Sequence, residues 1–397
     1  SLIEDSTYYL SARATDVAGN LSVVASGDGV TIDLTAPAGT IVNDGTGDDI
    51  VYTGSDSTLS AVWPAFTETV SGISKYEYAI GSSSGGTNVV DWTNNNTDTS
   101  VTKAGLTLTN GTAYYISVKA TDNAENESTT ITSDGVIVDT DGPISGTVLD
   151  GTDVDIDWTN STSSLTATWS GFSDTLSGIQ KYEYAIGTSS GGTDVVDWTN
   201  NTTDTSVTKT GLTLTNGTTY YLNIRAADNV GNVSTIVTSD GITVDTDVPI
   251  ISSVIEGSST ADIDYQNSDT TLIIIWVGSD TASGIAQYEY ALGTAAAASN
   301  TVAWTNAGMA TADTLTGLSL IEDSTYYLSA RATDVAGNLS AIASGDGVTI
   351  DLTAPAGTIV NDGTGDDIAY SGSDSTLSAV WPAFTETVSG ISKYEYA

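Results

Sequence analysis

Residues 112–122 read TAYYISVKATD. Apolar and polar side chains alternate along this stretch, which places Tyr114, Ile116, Val118 and Ala120 on one face and Tyr115, Ser117 and Lys119 on the other. A period of two is that of a half-buried β-strand, with one face expected in a core and the other wet. Around it, GTIVN, STLSAVW, ISKYEYAIG, NVVDW, SVTKAGLTL and GVIVDT are short segments of the same kind, separated by clusters of Gly, Asn, Asp, Ser and Thr. No window carries a sustained 3.6-residue apolar period. About seven strands at this spacing, with turn signals between them, predict an all-β fold of antiparallel β-sandwich type.

The pattern repeats. KYEYA begins at Lys75, Lys181 and Lys393, with QYEYA at Gln287, a constant step of 106 residues. The 22 residues SLIEDSTYYLSARATDVAGNLS occupy 1–22 and recur unchanged at 319–340, three steps later. Between residues 1–79 and 319–397 only Val23/Ala341, Val24/Ile342, Val51/Ala369 and Thr53/Ser371 differ, so a block of three repeats was itself duplicated. The chain is therefore expected to be a window on a longer tandem array. It holds the C-terminal part of one sandwich (1–35), whole sandwiches at 36–141, 142–247 and 248–353, and the N-terminal part of another (354–397). Trp276 follows Trp169 by 107 residues, an added residue that is compensated after the strand and expected to affect only a loop.

Composition narrows the class. The 397 residues include no Cys and no His, which removes disulfides, Ser-His-Asp and Cys-His catalysis and nearly all zinc chemistry. No apolar run approaches the ~20 residues that cross a bilayer as a helix. Fifty acids against nine bases give a net charge of −41. That is roughly −11 per repeat, and it argues against nucleic acid, whose binding requires clustered Lys and Arg. The acids comprise 39 Asp and 11 Glu. Asp is both a turn former and a hard-cation ligand of loops, so the excess fits calcium binding or a solvated acidic surface rich in Asx turns.

Each repeat carries a Trp in its second strand (Trp63, Trp169, Trp276, Trp381) and a Leu six residues before a Tyr (Leu2/Tyr8, Leu108/Tyr114, Leu214/Tyr220, Leu320/Tyr326). In this the chain resembles fibronectin type III and bacterial immunoglobulin-like domains, the Leu–Tyr pair being similar to their tyrosine corner. The resemblance implies seven-stranded antiparallel sandwiches and a chain that enters each at one pole and leaves at the other.

That topology brings three recurrent acids together at each boundary. Asp33, Asp139, Asp245 and Asp351 end a repeat. Glu68, Asp174, Asp280 and Glu386 follow the second strand of the next, and Asp122, Asp228 and Asp334 follow its sixth. Carboxylates that converge repel one another unless neutralised, and Ca²⁺, with about 6 to 8 oxygen ligands, is the expected neutraliser at each junction. Asp141 and Asp247 stand where the other linkers carry Thr35 and Thr353, and are expected to add a ligand and so tighten their junctions.

The expected function is that of a non-catalytic extracellular stalk of a large repetitive bacterial surface adhesin or filament, stiffened by interdomain calcium. Its partners would be neighbouring repeats and, by lateral association, other copies. At ~3.3 Å per strand residue, each repeat should add about 30 to 40 Å. A self-assembling sheath or S-layer is one alternative. Another is a carbohydrate-binding accessory array of a secreted polysaccharide-degrading enzyme, which would use Trp92, Trp198 and Trp304 as exposed stacking platforms. Intramolecular isopeptide bonds at Lys75, Lys181 and Lys393 are disfavoured by Gln287, which occupies the same place. Asn110 and Asn126 lie in N-x-S/T triplets whose turn positions already account for Asn.

Overall fold

The computed structural model describes residues 1–258 and 261–397, and all regular structure among them is β. They divide into two compact units, one formed by Ser1–Val148, Thr168–Val207 and Leu222–Ser239, the other by Leu149–Ala167, Thr208–Tyr221 and Asp240–Ala397.

The first unit contains the repeat 36–141 complete. Its strands are β1 (Asn43–Asp44), β2 (Tyr52–Thr53), β3 (Thr58–Val62), β4 (Ile73–Gly81), β5 (Val90–Asn94), β6 (Ser100–Ala104), β7 (Ala113–Asp122), β8 (Ile131–Thr132) and β9 (Val136–Val138). One sheet runs β6-β3-β1 and is antiparallel throughout. The other runs β2-β9-β7-β4-β5, with β8 also on β7. Its one parallel pair is β2 on β9, Tyr52 opposite Ile137, where the chain has left the first sheet and joined the edge of the second. Leu59, Ala61 and Trp63 from one sheet and Tyr76, Tyr78, Ile80, Ile116 and Val118 from the other close a single core. This is the sandwich that the alternation in 112–122 predicts.

The Leu–Tyr pair does what a tyrosine corner requires. Tyr114 is buried and its hydroxyl accepts the N–H of Thr109 at 3.0 Å. Tyr220 and Tyr326 do the same for Thr215 and Ile321, at 2.9 and 3.1 Å. The other face of β7 is drier than its sequence suggests. Ser117 is fully buried against Thr132 of β8, and Lys119 is half-covered because Trp92 of β5 lies beneath its ammonium, 4.8 Å from ring centre to Nζ. Edge strands on both sides of β7 supply this cover, which alternation along one strand does not reveal.

The second unit contains the repeat 248–353, built alike around Leu272, Ile274, Trp276, Tyr290, Leu328 and Ile350. Its first strand is longer, Ile250–Ser258, and pairs along Thr271–Ser279 with a register shift between Ile251 and Ser253. The compensating deletion after Trp276 reaches beyond a loop. Phe66 and Phe172 pack edge-on against Tyr76 and Tyr182, at 5.4 and 5.6 Å, and the repeat 248–353 has no Phe. The Trp276 ring instead lies 5.4 Å from that of Tyr290. The middle repeat has the same succession of strands, among them Ser164–Ser170, Ile179–Gly187 and Thr219–Asp228. The flanking segments 1–35 and 354–397 form only two-residue strands and leave Leu10, Tyr370 and Tyr396 exposed.

Candidate metal centres at the repeat boundaries

β7 ends at Asp122, and the chain turns immediately. Asp122 Oδ1 accepts the N–H groups of Ala124 and Asn126, at 2.8 and 2.9 Å, and Oδ2 accepts Asn126 Nδ2 at 2.8 Å. Asp228 and Asp334 are bound in the same way to Asn232 and Asn338. This is Asx-turn chemistry, and it fixes the carboxylate at the tip of the strand. The β3–β4 loop supplies the second acid: Glu68 Oε1 accepts Val70 N–H at 2.6 Å, and Asp174 and Asp280 accept Gly178 and Gly284 N–H at 2.6 and 2.7 Å. The third acid belongs to the preceding repeat. Asp33, Asp139 and Asp245 each accept a loop N–H, from Ser71, Ser177 and Ser283, at 3.2, 3.0 and 3.0 Å.

The structure thus brings together Asp33, Glu68 and Asp122, then Asp139, Asp174 and Asp228, then Asp245, Asp280 and Asp334. In each group one oxygen per residue lies within 4.8 Å of the others. The two strand-end acids are buried and the loop acid is half-buried. The Asp33 carboxyl is held below the usual carboxylate range, first by the Ser71 side chain, which with the smaller effects of the Thr35 and Ser71 N–H groups and of Glu4 outweighs its burial. The turn hydrogen bonds use only part of each carboxylate's capacity, since two oxygens present about four lone-pair sites. Three partly satisfied carboxylates in so small a space form a donor set of hard oxygens, the chemistry calcium takes.

Asp351 and Glu386 line one hollow together with Pro355 and Ser389, and Ser389 N–H donates to Asp351 Oδ2 at 3.2 Å. Asp141 and Asp247 are not in the three-acid groups. Their Oδ2 atoms instead accept Asn110 Nδ2 and Asn216 Nδ2, at 2.7 and 3.0 Å. Asn110 and Asn216 in turn accept the linker N–H groups of Thr140 and Thr246. The Thr35 and Thr353 linkers use Glu4 and Glu322 at the Asn position, which accept Leu34 and Leu352 N–H. The linker acid and its partner therefore change together: Asp with Asn, or Thr with Glu.

Sequence reasoning passed over a residue type that completes each boundary. Asn126 Nδ2 also donates to the backbone oxygen of Asp33 at 3.1 Å, Asn232 to that of Asp139 at 2.9 Å, and Asn338 to that of Asp245 at 2.8 Å. One amide thus ties the strand-end acid to the last residues of the preceding repeat. The signal was present in the recurrent Asn four residues after each of these Asp residues.

On the outer sheet, Lys119, Arg225 and Arg331 stack on Trp92, Trp198 and Trp304, at 4.8, 4.2 and 4.5 Å from the ring centres. Arg225 and Arg331 also donate to Glu183 and Glu289 at 2.8 Å, and Lys75 pairs with Glu77 at 3.0 Å. Each indole thus has a cation from its own sheet over one face.

No protein-family model matches the chain, and no curated protein matches it in sequence. Solved structures of similar fold include the FN1–FN3 domains of chicken CNTN1, at 15% identity over 79% of this chain and 98% of that one, with a TM-score of 0.32. Fibronectin(III)-like modules of Clostridium thermocellum CbhA match at 14% identity over 52% and 94%, with a TM-score of 0.29. Three domains of titin match at 15% over 80% and 99%, with a TM-score of 0.35. The strand order and the tyrosine corners define the class by themselves: the chain is a tandem array of β-sandwiches with a fibronectin type III-like or immunoglobulin-like fold.

Proposed function

We propose that this array is a non-catalytic, extracellular stalk of a large repetitive surface protein, an adhesin or filament of a bacterium, and that calcium held at the repeat boundaries stiffens it. The observation that carries the reading is the recurrence of one three-carboxylate group at three successive boundaries, each with an Asn clamp onto the preceding repeat. An ion shared by acids of two adjacent repeats would fix the angle between them. Without it, the same acids repel one another and favour bending. Pro37, Pro143, Pro249 and Pro355 restrict the linkers further, and the charge of −41 disfavours collapse and self-association. Absence of Cys is compatible with a stalk that relies on ions in place of disulfides.

Lys119, Arg225 and Arg331 occupy one face each of Trp92, Trp198 and Trp304, so a carbohydrate-binding array would have only the opposite faces to use. The test is a calcium titration of the whole chain, followed by melting and by small-angle scattering. Identical melts and profiles with and without chelator would remove calcium from the account.

A further inference from the structure

A second set of carboxylates lies away from the boundaries, on the flank of each sandwich. In the first whole repeat Asp44 ends β1, Asp49 follows in the loop to β2, and Asp134 precedes β9, with one oxygen from each within 4.8 Å of the others. Asp150, Asp155 and Asp240 form the same group one repeat later. Acids on turns are ordinary, and the two loop acids are exposed; Asp44 is different. It is fully buried, its Oδ2 accepts the N–H of Gly135 at 3.0 Å, and its Oδ1 is buried with no hydrogen-bond partner. Gly135 can present that N–H because it sits at φ +103°, a conformation open to glycine. Burial pushes the Asp44 carboxyl up to about 6, and the neighbouring charges of Asp49 and Asp134 push the same way.

The third repeat reaches the same arrangement by a different route. Glu256 replaces the Asp and is also fully buried; its Oε1 accepts Leu328 N–H at 2.7 Å and its Oε2 is buried with no hydrogen-bond partner. In the other repeats the equivalent N–H groups, of Ile116 and Leu222, go to the hydroxyls of Ser133 and Ser239 at 3.0 Å. The third repeat has Gly345 in place of that Ser, and a Cβ there would collide with the Glu256 carboxylate. The longer acid has taken over both the volume and the hydrogen bond of the Ser. Through that two-residue exchange a buried carboxylate is retained, with an unpaired oxygen beside two further acids, now Asp262 of the short strand Ala261–Asp262 and Asp346. An apolar residue would fill the same space without the cost of an unpaired buried polar atom.

We propose that each sandwich carries a divalent-cation site on its flank, formed by Asp44, Asp49 and Asp134 in the first whole repeat, Asp150, Asp155 and Asp240 in the second, and Glu256, Asp262 and Asp346 in the third. Calcium suits it. Ligands at ~2.4 Å from one ion lie up to about 4.8 Å apart, whereas magnesium at ~2.1 Å draws its ligands closer and demands near-ideal octahedral geometry. The ion would link β1 of one sheet to the segment between β8 and β9 of the other. It acts within a repeat, whereas the boundary ions act between repeats.

The test is calcium stoichiometry by calorimetry on the full chain, with Asp49→Asn/Asp134→Asn as the principal variant. Both residues are exposed, and the amide introduced in place of Asp49 would retain the oxygen that accepts Asp44 N–H. The variant should bind one ion fewer, and the calcium-dependent rise in melting temperature of its repeat should shrink while scattering stays unchanged. Glu256→Gln should remove one ion from the third repeat. An unchanged stoichiometry in both variants would overturn the site. So would an Asp44→Asn variant that binds as many ions as the parent and melts higher in chelator, since the buried acid would then be holding only a proton. Loss of the boundary ions alone, by Asp122→Asn, leaves the flank prediction intact and separates the two readings.

Discussion

Replacing Asn232 with Ala removes the two short side-chain hydrogen bonds at one boundary, Nδ2 to Asp228 Oδ2 at 2.7 Å and Nδ2 to the backbone oxygen of Asp139 at 2.9 Å, together with a longer one to the backbone oxygen of Asp141 at 3.3 Å. The first has a charged acceptor, worth about 1.5 to 3 kcal/mol, and the second is neutral, worth about 0.5 to 1.5 kcal/mol. Asp228 and Asp139 are both fully buried, so water cannot readily replace the lost donor. The expected loss is therefore about 2 to 4 kcal/mol at that boundary. In a repeat of this size it should appear as a drop on the order of 10 °C in one calorimetric transition. The effect should persist in chelator, because the amide acts without an ion, and calcium should restore only part of it. Asn232→Asp, which keeps the shape but adds charge, should be worse than Ala in chelator and improve more on adding calcium. A melt indistinguishable from that of the parent would refute the clamp, since it would mean that solvent satisfies both acceptors after all.

Asp174→Asn should reduce calcium binding by one ion and loosen a single boundary, read as a change in scattering with little change in the melting of the repeat cores. Asp141→Thr should destabilise its linker by about 1 kcal/mol through loss of the Asn110 bond, and adding Asn110→Glu should recover much of this by recreating the Thr–Glu arrangement; additive losses in the double variant would contradict the exchange. Arg225→Gln should uncover one face of Trp198, visible as altered indole fluorescence, and cost about 0.5 to 1 kcal/mol for the cation–π contact in addition to the loss of the Glu183 ion pair. Lys181, and after it Arg225, hold the Glu183 carboxyl below its ordinary range against its own burial. Its folded value is thus below its unfolded one, so its contribution is fully present above the unfolded value and is lost as pH falls through the folded one. Glu183→Gln should flatten the acid limb of stability against pH, and an unchanged limb would contradict this.

The fold was legible because alternation survives in nearly every strand, and because Leu108 and Tyr114 state a corner whose hydrogen bond is local. The meeting of Asp33, Glu68 and Asp122 was legible for a topological reason: once the chain enters at one pole, the loops after the second and sixth strands have only one place to go. Less legible were features set by neighbours distant in sequence. Ser117 sits at a polar position in the alternation and is buried because β8, further along the chain, covers it. Asp141 reads as a ligand by charge and linker position, yet its carboxylate turns to Asn110 within its own repeat. Asp44 and Glu256 gave no sign in sequence of being buried, because an Asp or Glu near a Gly-rich turn reads as solvated. Only the crossing of the chain from one sheet to the other encloses them.

The most direct test of calcium-stiffened boundaries is small-angle scattering of the whole chain in calcium and in chelator, at an ionic strength high enough to screen general charge repulsion. The account predicts a larger maximum dimension and a narrower distribution of interdomain distances with calcium, a difference abolished when Asp122, Asp228 and Asp334 are all changed to Asn. Superimposable profiles in the two conditions, with every repeat folded, would show that the boundary acids are turn caps in a solvated surface and that ions do not stiffen the array.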